Sequence, residues 1–195
     1  MPGVEGRVAL VTGAGRGIGR VTAGLLASRG ARVMAVARSE NELQTLGLDY
    51  IVADLGTPDG CTLAVEETQD RLGPVEILVC NHGIGSAHER VIWEQEPELW
   101  RETMRINLDG PYFLSRLVVK DMIEQGYGRL VFTSSTAGQV AEYAGSAYSS
   151  SKHGLLGLMR SVAQDAGPHS VTSNAVLPGW VRTPMAEISA DAEAK

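Results

Sequence analysis

Tyr148 and Lys152 lie four residues apart at the start of a segment, 148–165, whose apolar spacing predicts a helix, so the two side chains share one face. A free phenol ionises at about pH 10 and is a poor acid or base at neutral pH. An ammonium beside it favours the phenolate and lowers that value. A Tyr tuned in this way gives a proton to a carbonyl oxygen or takes one from an alcohol. Ser135, thirteen residues upstream and just past a predicted strand at 130–133, is placed to hydrogen-bond the same oxygen and stabilise charge developing on it. A bare Tyr-x-x-x-Lys is also what an exposed pair on any helix looks like. Its weight here comes from position.

That position is defined by a second constellation. A short β-branched run at 8–11 leads into Thr12-Gly13-Ala14-Gly15-Arg16-Gly17-Ile18-Gly19, and helical spacing follows at once. Glycine turns with φ above zero and lets a ligand approach the backbone, while a helix N-terminus offers free amides and a positive dipole to phosphate. Strand, glycine turn and helix in this order are what a dinucleotide pyrophosphate requires. A P-loop is excluded, because no Gly-Lys-Ser/Thr follows the glycines. The second strand ends Val36-Ala37-Arg38-Ser39, without the acid that binds the ribose hydroxyls of NAD. Arg38 and Arg16 are instead suited to a 2′-phosphate, which favours NADP(H) over NAD(H). Asp54, after the third strand, is a candidate for the adenine amino group, or alternatively a turn or helix cap.

The elements that must hold these groups read as alternating strands and helices. Strands are predicted at 8–11, 32–37, 50–52, 77–80, 130–133 and 171–176, and helices at 18–28, 41–46, 58–72, 97–124 and 148–165. This pattern makes a parallel sheet covered on both faces, the three-layer, doubly wound, Rossmann-like α/β class, in a single domain over 1–195. Ligands of such sheets bind beyond the strand C-termini, where Ser135 and the glycine turn both fall.

Composition narrows the function class. A net charge of −6 argues against nucleic acid and anionic membranes as partners. No apolar run reaches the ~18–20 residues of a membrane span, and residues 1–7 do not resemble a signal peptide. Cys61 and Cys80 are far apart and make neither a zinc pattern nor a disulfide framework. The reading is a cytoplasmic protein with reduced thiols and no metal.

With these residues in place, the chain resembles the short-chain dehydrogenase/reductase family over nearly its whole length. The family's TGxxxGxG falls on Thr12, Gly13, Gly17 and Gly19, and its Asn-Ser-Tyr-Lys tetrad on Asn107, Ser135, Tyr148 and Lys152. The resemblance implies that Tyr148 is the acid–base, that Lys152 tunes it and binds the nicotinamide ribose, and that Ser135 orients the substrate oxygen. Asn107 would hold a water that relays protons from Lys152. Cofactor contact is further implied for Ile18, Leu55, Asn81, Gly83, Pro178, Gly179, Val181 and Thr183. Gln139, Glu142, Tyr143 and Trp180 are expected on the substrate side, Glu142 disfavouring a strongly anionic headgroup.

The chain departs from the family in two places. The family's NNAG reads Cys80-Asn81-His82-Gly83, where His82 is expected to be a packed or hydrogen-bonded loop residue and not a catalyst. The resemblance implies a further segment after residue 195, where this sequence ends, either because the protein is short or because further residues follow; without that segment the strand at 171–176 would stand as an edge, and the tail at 186–195 could start a helix or stay mobile. Helices 97–124 and 148–165 are broadly apolar through Phe113, Leu117, Val118, Leu155, Leu156, Leu158, Met159 and Val162; the resemblance implies that they pair with a second copy to give a dimer or tetramer, the alternative being that they only pack on the sheet. The expected activity is interconversion of a ketone and a secondary alcohol, the substrate being a 3-oxoacyl thioester, polyketide, sugar or small alcohol. The rival readings are a nucleotide-binding regulatory protein without turnover and an epimerase that recycles its cofactor.

Overall fold

Val8–Thr12 is buried at every position, as only a strand in the middle of a sheet covered on both faces can be. This is β1 of the computed structural model, which describes residues 3–87 and 90–187. The chain continues through α1 (Gly17–Ser28), β2 (Arg32–Ala37), α2 (Glu40–Gln44), β3 (Asp49–Val52), α3 (Pro58–Leu72) and β4 (Ile77–Cys80). It then forms α4 (Pro97–Met104), α5 (Gly110–Gln125), β5 (Gly128–Thr133), α6 (Ser146–Ala166) and β6 (Val171–Val176). The six strands are parallel in the order β3-β2-β1-β4-β5-β6, a doubly wound sheet whose direction of winding reverses between β1 and β4.

Side chains alternate across the sheet and divide the core in two. Leu10, Met34, Leu78, Leu130 and Phe132 pack against α3, α5 and α6. Ala9, Val11, Val33, Ala35 and Val79 meet Ala23 of α1 and Leu43 of α2 on the other side. Phe113, Leu117, Leu158, Met159 and Val162 are partly buried against the first of these cores. β6 stands at the sheet edge, its Ser173 hydroxyl donating to the Met159 carbonyl of α6 (2.8 Å). Thr172, Asn174 and Val176 alternate onto its opposite, exposed face. No helix of the described residues is long and apolar enough to cross a membrane. The tail reading at 186–195 lies outside the described residues from 188 onward.

One predicted element is corrected. The single helix over 97–124 is three pieces: α4, a five-residue π turn at Arg105–Asp109, and α5. Pro111 has no N–H and cannot donate to the carbonyl of Asn107 four residues back, so the α ladder is interrupted there. The widened turn carries Asn107, fully buried, toward the loop after β4.

Candidate active site

A cleft opens beyond the C-terminal ends of the strands, where the winding reverses. One end of it is lined by Gly13, Arg16, Gly17, Ile18, Arg38, Asp54 and Leu55, the residues the sequence reading offers to a nucleotide. Asn81 and Gly83 lie between that end and the Ser135, Tyr148 and Lys152 group, and Pro178, Gly179, Trp180, Val181 and Thr183 form a further wall. Gly19, Asn107, Gln139 and Tyr143 do not line it. Tyr143 is 92% exposed and Gln139 is exposed. Glu142 does reach the cleft, with its carboxylate accepting from the Ser86 hydroxyl at 3.2 Å.

The glycine turn is held by Thr12. Its hydroxyl accepts from the amides of Asn81 (2.9 Å) and His82 (3.2 Å), lies 3.1 Å from the Val79 carbonyl, and faces His82 Nδ1 at 2.8 Å. Asn81 Nδ2 donates back to the carbonyls of Thr12 (3.2 Å) and Gly13 (3.3 Å). Gly13 and Gly17 have φ of +62° and +57°, the left-handed region that glycine enters at least cost. Gly19 has another reason to be glycine: a Cβ there would strike the Gly13 carbonyl and the Asn81 amide. It shapes the turn from behind. α1 starts without a side-chain cap and without an acid in its first turn, so its leading amides remain for an anion. That unfilled start fits a dinucleotide pyrophosphate.

At the other end, Lys152 is buried, and its Nζ donates to the Thr133 carbonyl (2.9 Å) and lies 5.5 Å from the centre of the Tyr148 ring. Burial pushes the Lys152 pKa down to about 8. Ser135 Oγ accepts the Ala137 amide at 3.1 Å, which leaves its own hydrogen to donate. The side-chain amide of Asn107 is engaged inside the protein. Its Oδ1 accepts from the Ile84 amide (2.8 Å), and its Nδ2 donates to the Ile84 carbonyl (3.0 Å) and Ser151 Oγ (3.1 Å). Ser151 in turn donates to the Tyr148 carbonyl (2.7 Å). The Asn107 side chain therefore fixes the loop after β4 to the start of α6. Ser151 was missed by the sequence reading, since a Ser among Ser149, Ser150 and Ser151 carries no distinguishing signal. Gly83 passes so near that a Cβ would lie 3.1 Å from Asn107 Oδ1 and 3.6 Å from Lys152 Nζ.

The charges at the glycine-turn end are partly committed already. Arg16 faces Glu42 at 3.7 Å, while Arg38 makes no ion pair among the described residues. Asp54 accepts from the Gly56 amide (3.0 Å) and from Arg105 (3.0 Å), so the turn-cap alternative describes its contacts. Burial raises its pKa, but those two hydrogen bonds and the charges of Arg105 and Arg38 outweigh it and hold the carboxyl below the usual range. Glu42 was not foreseen, although it sits four residues beyond Arg38 on a predicted helix. Cys61 and Cys80 are free and buried, and burial pushes the Cys61 thiol up to about 12 and Cys80 upward as well.

Comparison with known proteins agrees with this geometry. Residues 7–194 match the family described as short chain dehydrogenase. The chain is 34% identical over 194 residues to the 3-oxoacyl-acyl-carrier-protein reductase FabG of Escherichia coli strain K12, covering 96% of this chain and 78% of that one. It is 36% identical over 192 residues to a monensin polyketide synthase putative ketoacyl reductase of Streptomyces virginiae, covering 93% and 73%. The crystal structure of a variant of actinorhodin polyketide ketoreductase with NADPH superposes with a TM-score of 0.93 at 34% identity, covering 97% of this chain and 76% of that one. The fold and site thus define a nicotinamide-dependent oxidoreductase that acts on a carbonyl or CH–OH group. The chain belongs to the short-chain dehydrogenase family.

Proposed function

We propose that this protein is an NADP-preferring ketone reductase in which Tyr148 is the proton donor. The observation that carries the reading is the convergence of Ser135, Tyr148 and Lys152 at one end of a cleft whose other end holds two arginines and a glycine turn. The bound nicotinamide supplies hydride. Everything else falls to the protein. Ser135 donates to the substrate carbonyl and holds it against the Tyr148 hydroxyl. Tyr148 delivers a proton to the oxygen as charge develops. Lys152, held at the Thr133 carbonyl, biases Tyr148 toward phenolate and would hold the nicotinamide ribose when the cofactor is bound. Its depressed pKa, about 8, lets it pass a proton on near neutral pH. Asn107 is a positioning residue, anchoring the Ile84 loop and, through Ser151, the Tyr148 backbone.

The preference for NADP rests on Arg38 beside the cleft and on the absence of an acid at the end of β2. The substrate end carries Glu142 as its charged wall and the 69% exposed Trp180 as its apolar one. A neutral, extended ketone such as a 3-oxoacyl thioester or polyketide chain suits that lining, in keeping with the named relatives. The exposed Trp100 of α4 and Tyr112 of α5 contribute to pairing with a second copy.

The test is oxidation of NADPH and of NADH against ketones and 3-oxoacyl thioesters, with Tyr148→Phe as control. The expected result is turnover with NADPH that falls by about 10²–10⁴ in the variant, nucleotide binding being kept. Turnover that survives Tyr148→Phe would overturn the mechanism, and failure of every ketone would overturn the reductase reading.

A further inference from the structure

We propose that Glu42 weakens the preference for a 2′-phosphorylated nucleotide by competing with the phosphate for Arg16. The inference rests on the NADP reading and adds a residue to it.

Glu42 is not a loosely placed surface acid. α2 is tied to the glycine turn by Arg20, whose Nη1 donates to the carbonyls of Gly15 (3.3 Å) and Glu42 (3.1 Å) and to Thr45 Oγ1 (2.9 Å). Nη2 adds the Thr45 carbonyl at 3.1 Å. These bonds go to the backbone of α2 and to Thr45, so they fix where Glu42 sits without using its carboxylate. The carboxylate lies over Gly15, where an added Cβ would come within 2.6 Å of Oε2. It forms part of the same cleft wall as Arg16 and Arg38.

The Arg16–Glu42 pair spans 3.7 Å, with side chains 56% and 35% exposed. A pair so long and so wet is weak and can be exchanged. A 2′-phosphate would draw on both guanidiniums, because forked donors match phosphate oxygens. To use Arg16 it must displace Glu42, and it then rests near a carboxylate of like charge. A ribose without the phosphate meets the reverse situation, since its 2′-hydroxyl can donate to Glu42 while Arg16 stays paired. One carboxylate thereby taxes one cofactor and serves the other, narrowing the gap that Arg38 opens.

The experiment is calorimetric titration of the full chain with 2′,5′-ADP and, separately, 5′-ADP. Both lack nicotinamide, so binding is read without turnover. Wild type is compared with Glu42→Gln and Arg38→Ala. Glu42→Gln is near-isosteric and keeps every Arg20 bond. The expected result is that Glu42→Gln tightens 2′,5′-ADP by about three- to tenfold, with a smaller gain at high salt, and leaves 5′-ADP unchanged or slightly weaker. Weaker 2′,5′-ADP binding would mean that Glu42 holds Arg16 in place for the phosphate and would overturn the inference. So would no change in Glu42→Gln while Arg38→Ala abolishes a clear wild-type preference, which leaves the NADP reading standing. Equal affinity of wild type for the two nucleotides, unmoved by Arg38→Ala, would instead remove the NADP reading and this inference with it.

Discussion

His82 shows how much one partly buried side chain couples to its surroundings. Nδ1 meets Thr12, and Nε2 is buried near the Ile106 backbone, so close to Gly110 that a Cβ there would lie 2.6 Å away. Burial first, and the Lys152 charge second, push its pKa down to about 3. The sign of the consequence follows directly. Between pH 6.5 and 3 the unfolded chain takes a proton that the folded chain refuses, so stability is lost as pH falls through that window. Comparing urea unfolding at pH 7.5 and 5.5, wild type should lose about 1 kcal/mol more than His82→Ala does, because carboxylates titrate lower. Equal losses would mean that His82 titrates normally in the folded state. The sequence reading of His82 as a packed loop residue matches these contacts, but nothing in the sequence reveals its partner. Thr12 lies seventy residues earlier and reaches it only through the pairing of β1 with β4.

At the scale of elements, the glycine turn and the π turn each show a different reach of sequence. Gly13 and Gly17 could be assigned from pattern because a tight strand-to-helix turn needs left-handed φ. Gly19 could be assigned to the motif but not to its contact, since the carbonyl it must clear belongs to the turn's own folded path. Gly19→Ala is expected to cost about 1–3 kcal/mol by overpacking and to weaken 5′-ADP binding at least tenfold. Thermal unfolding and the same calorimetric titration check both, and unchanged binding would show that the turn yields without harm. The π turn was missed because helical periodicity runs through Pro97 to Gln125 with little interruption. Pro111 was the available signal. The turn's effect on Asn107 is a matter of where the side chain arrives, and a fully used amide on Ile84 and Ser151 is not visible in a linear pattern.

For the whole molecule, the exposed aromatic residues are the feature a monomer explains least well. Tyr112 of α5 is 49% and Trp100 of α4 40% exposed, and large exposed apolar residues can form interaction surfaces. Light scattering after gel filtration should give a dimer or larger for wild type and a smaller species for Tyr112→Glu, with nucleotide affinity preserved. A wild-type monomer at micromolar concentration would overturn the pairing.

Sequence alone determined the alternation of strands and helices, the glycine turn, and the Ser135, Tyr148 and Lys152 set. These are written in local spacing, in apolar periodicity and in backbone chemistry that acts within a few residues. Tertiary structure decided what those spacings cannot encode. It brought Glu42 against Arg16, paired Asp54 with Arg105, left Tyr143 and Gln139 exposed outside the cleft lining, and buried Asn107 and Lys152. Each of those outcomes depends on chain segments tens of residues apart meeting at one end of a parallel sheet, where burial and charge are set by the partners that happen to converge.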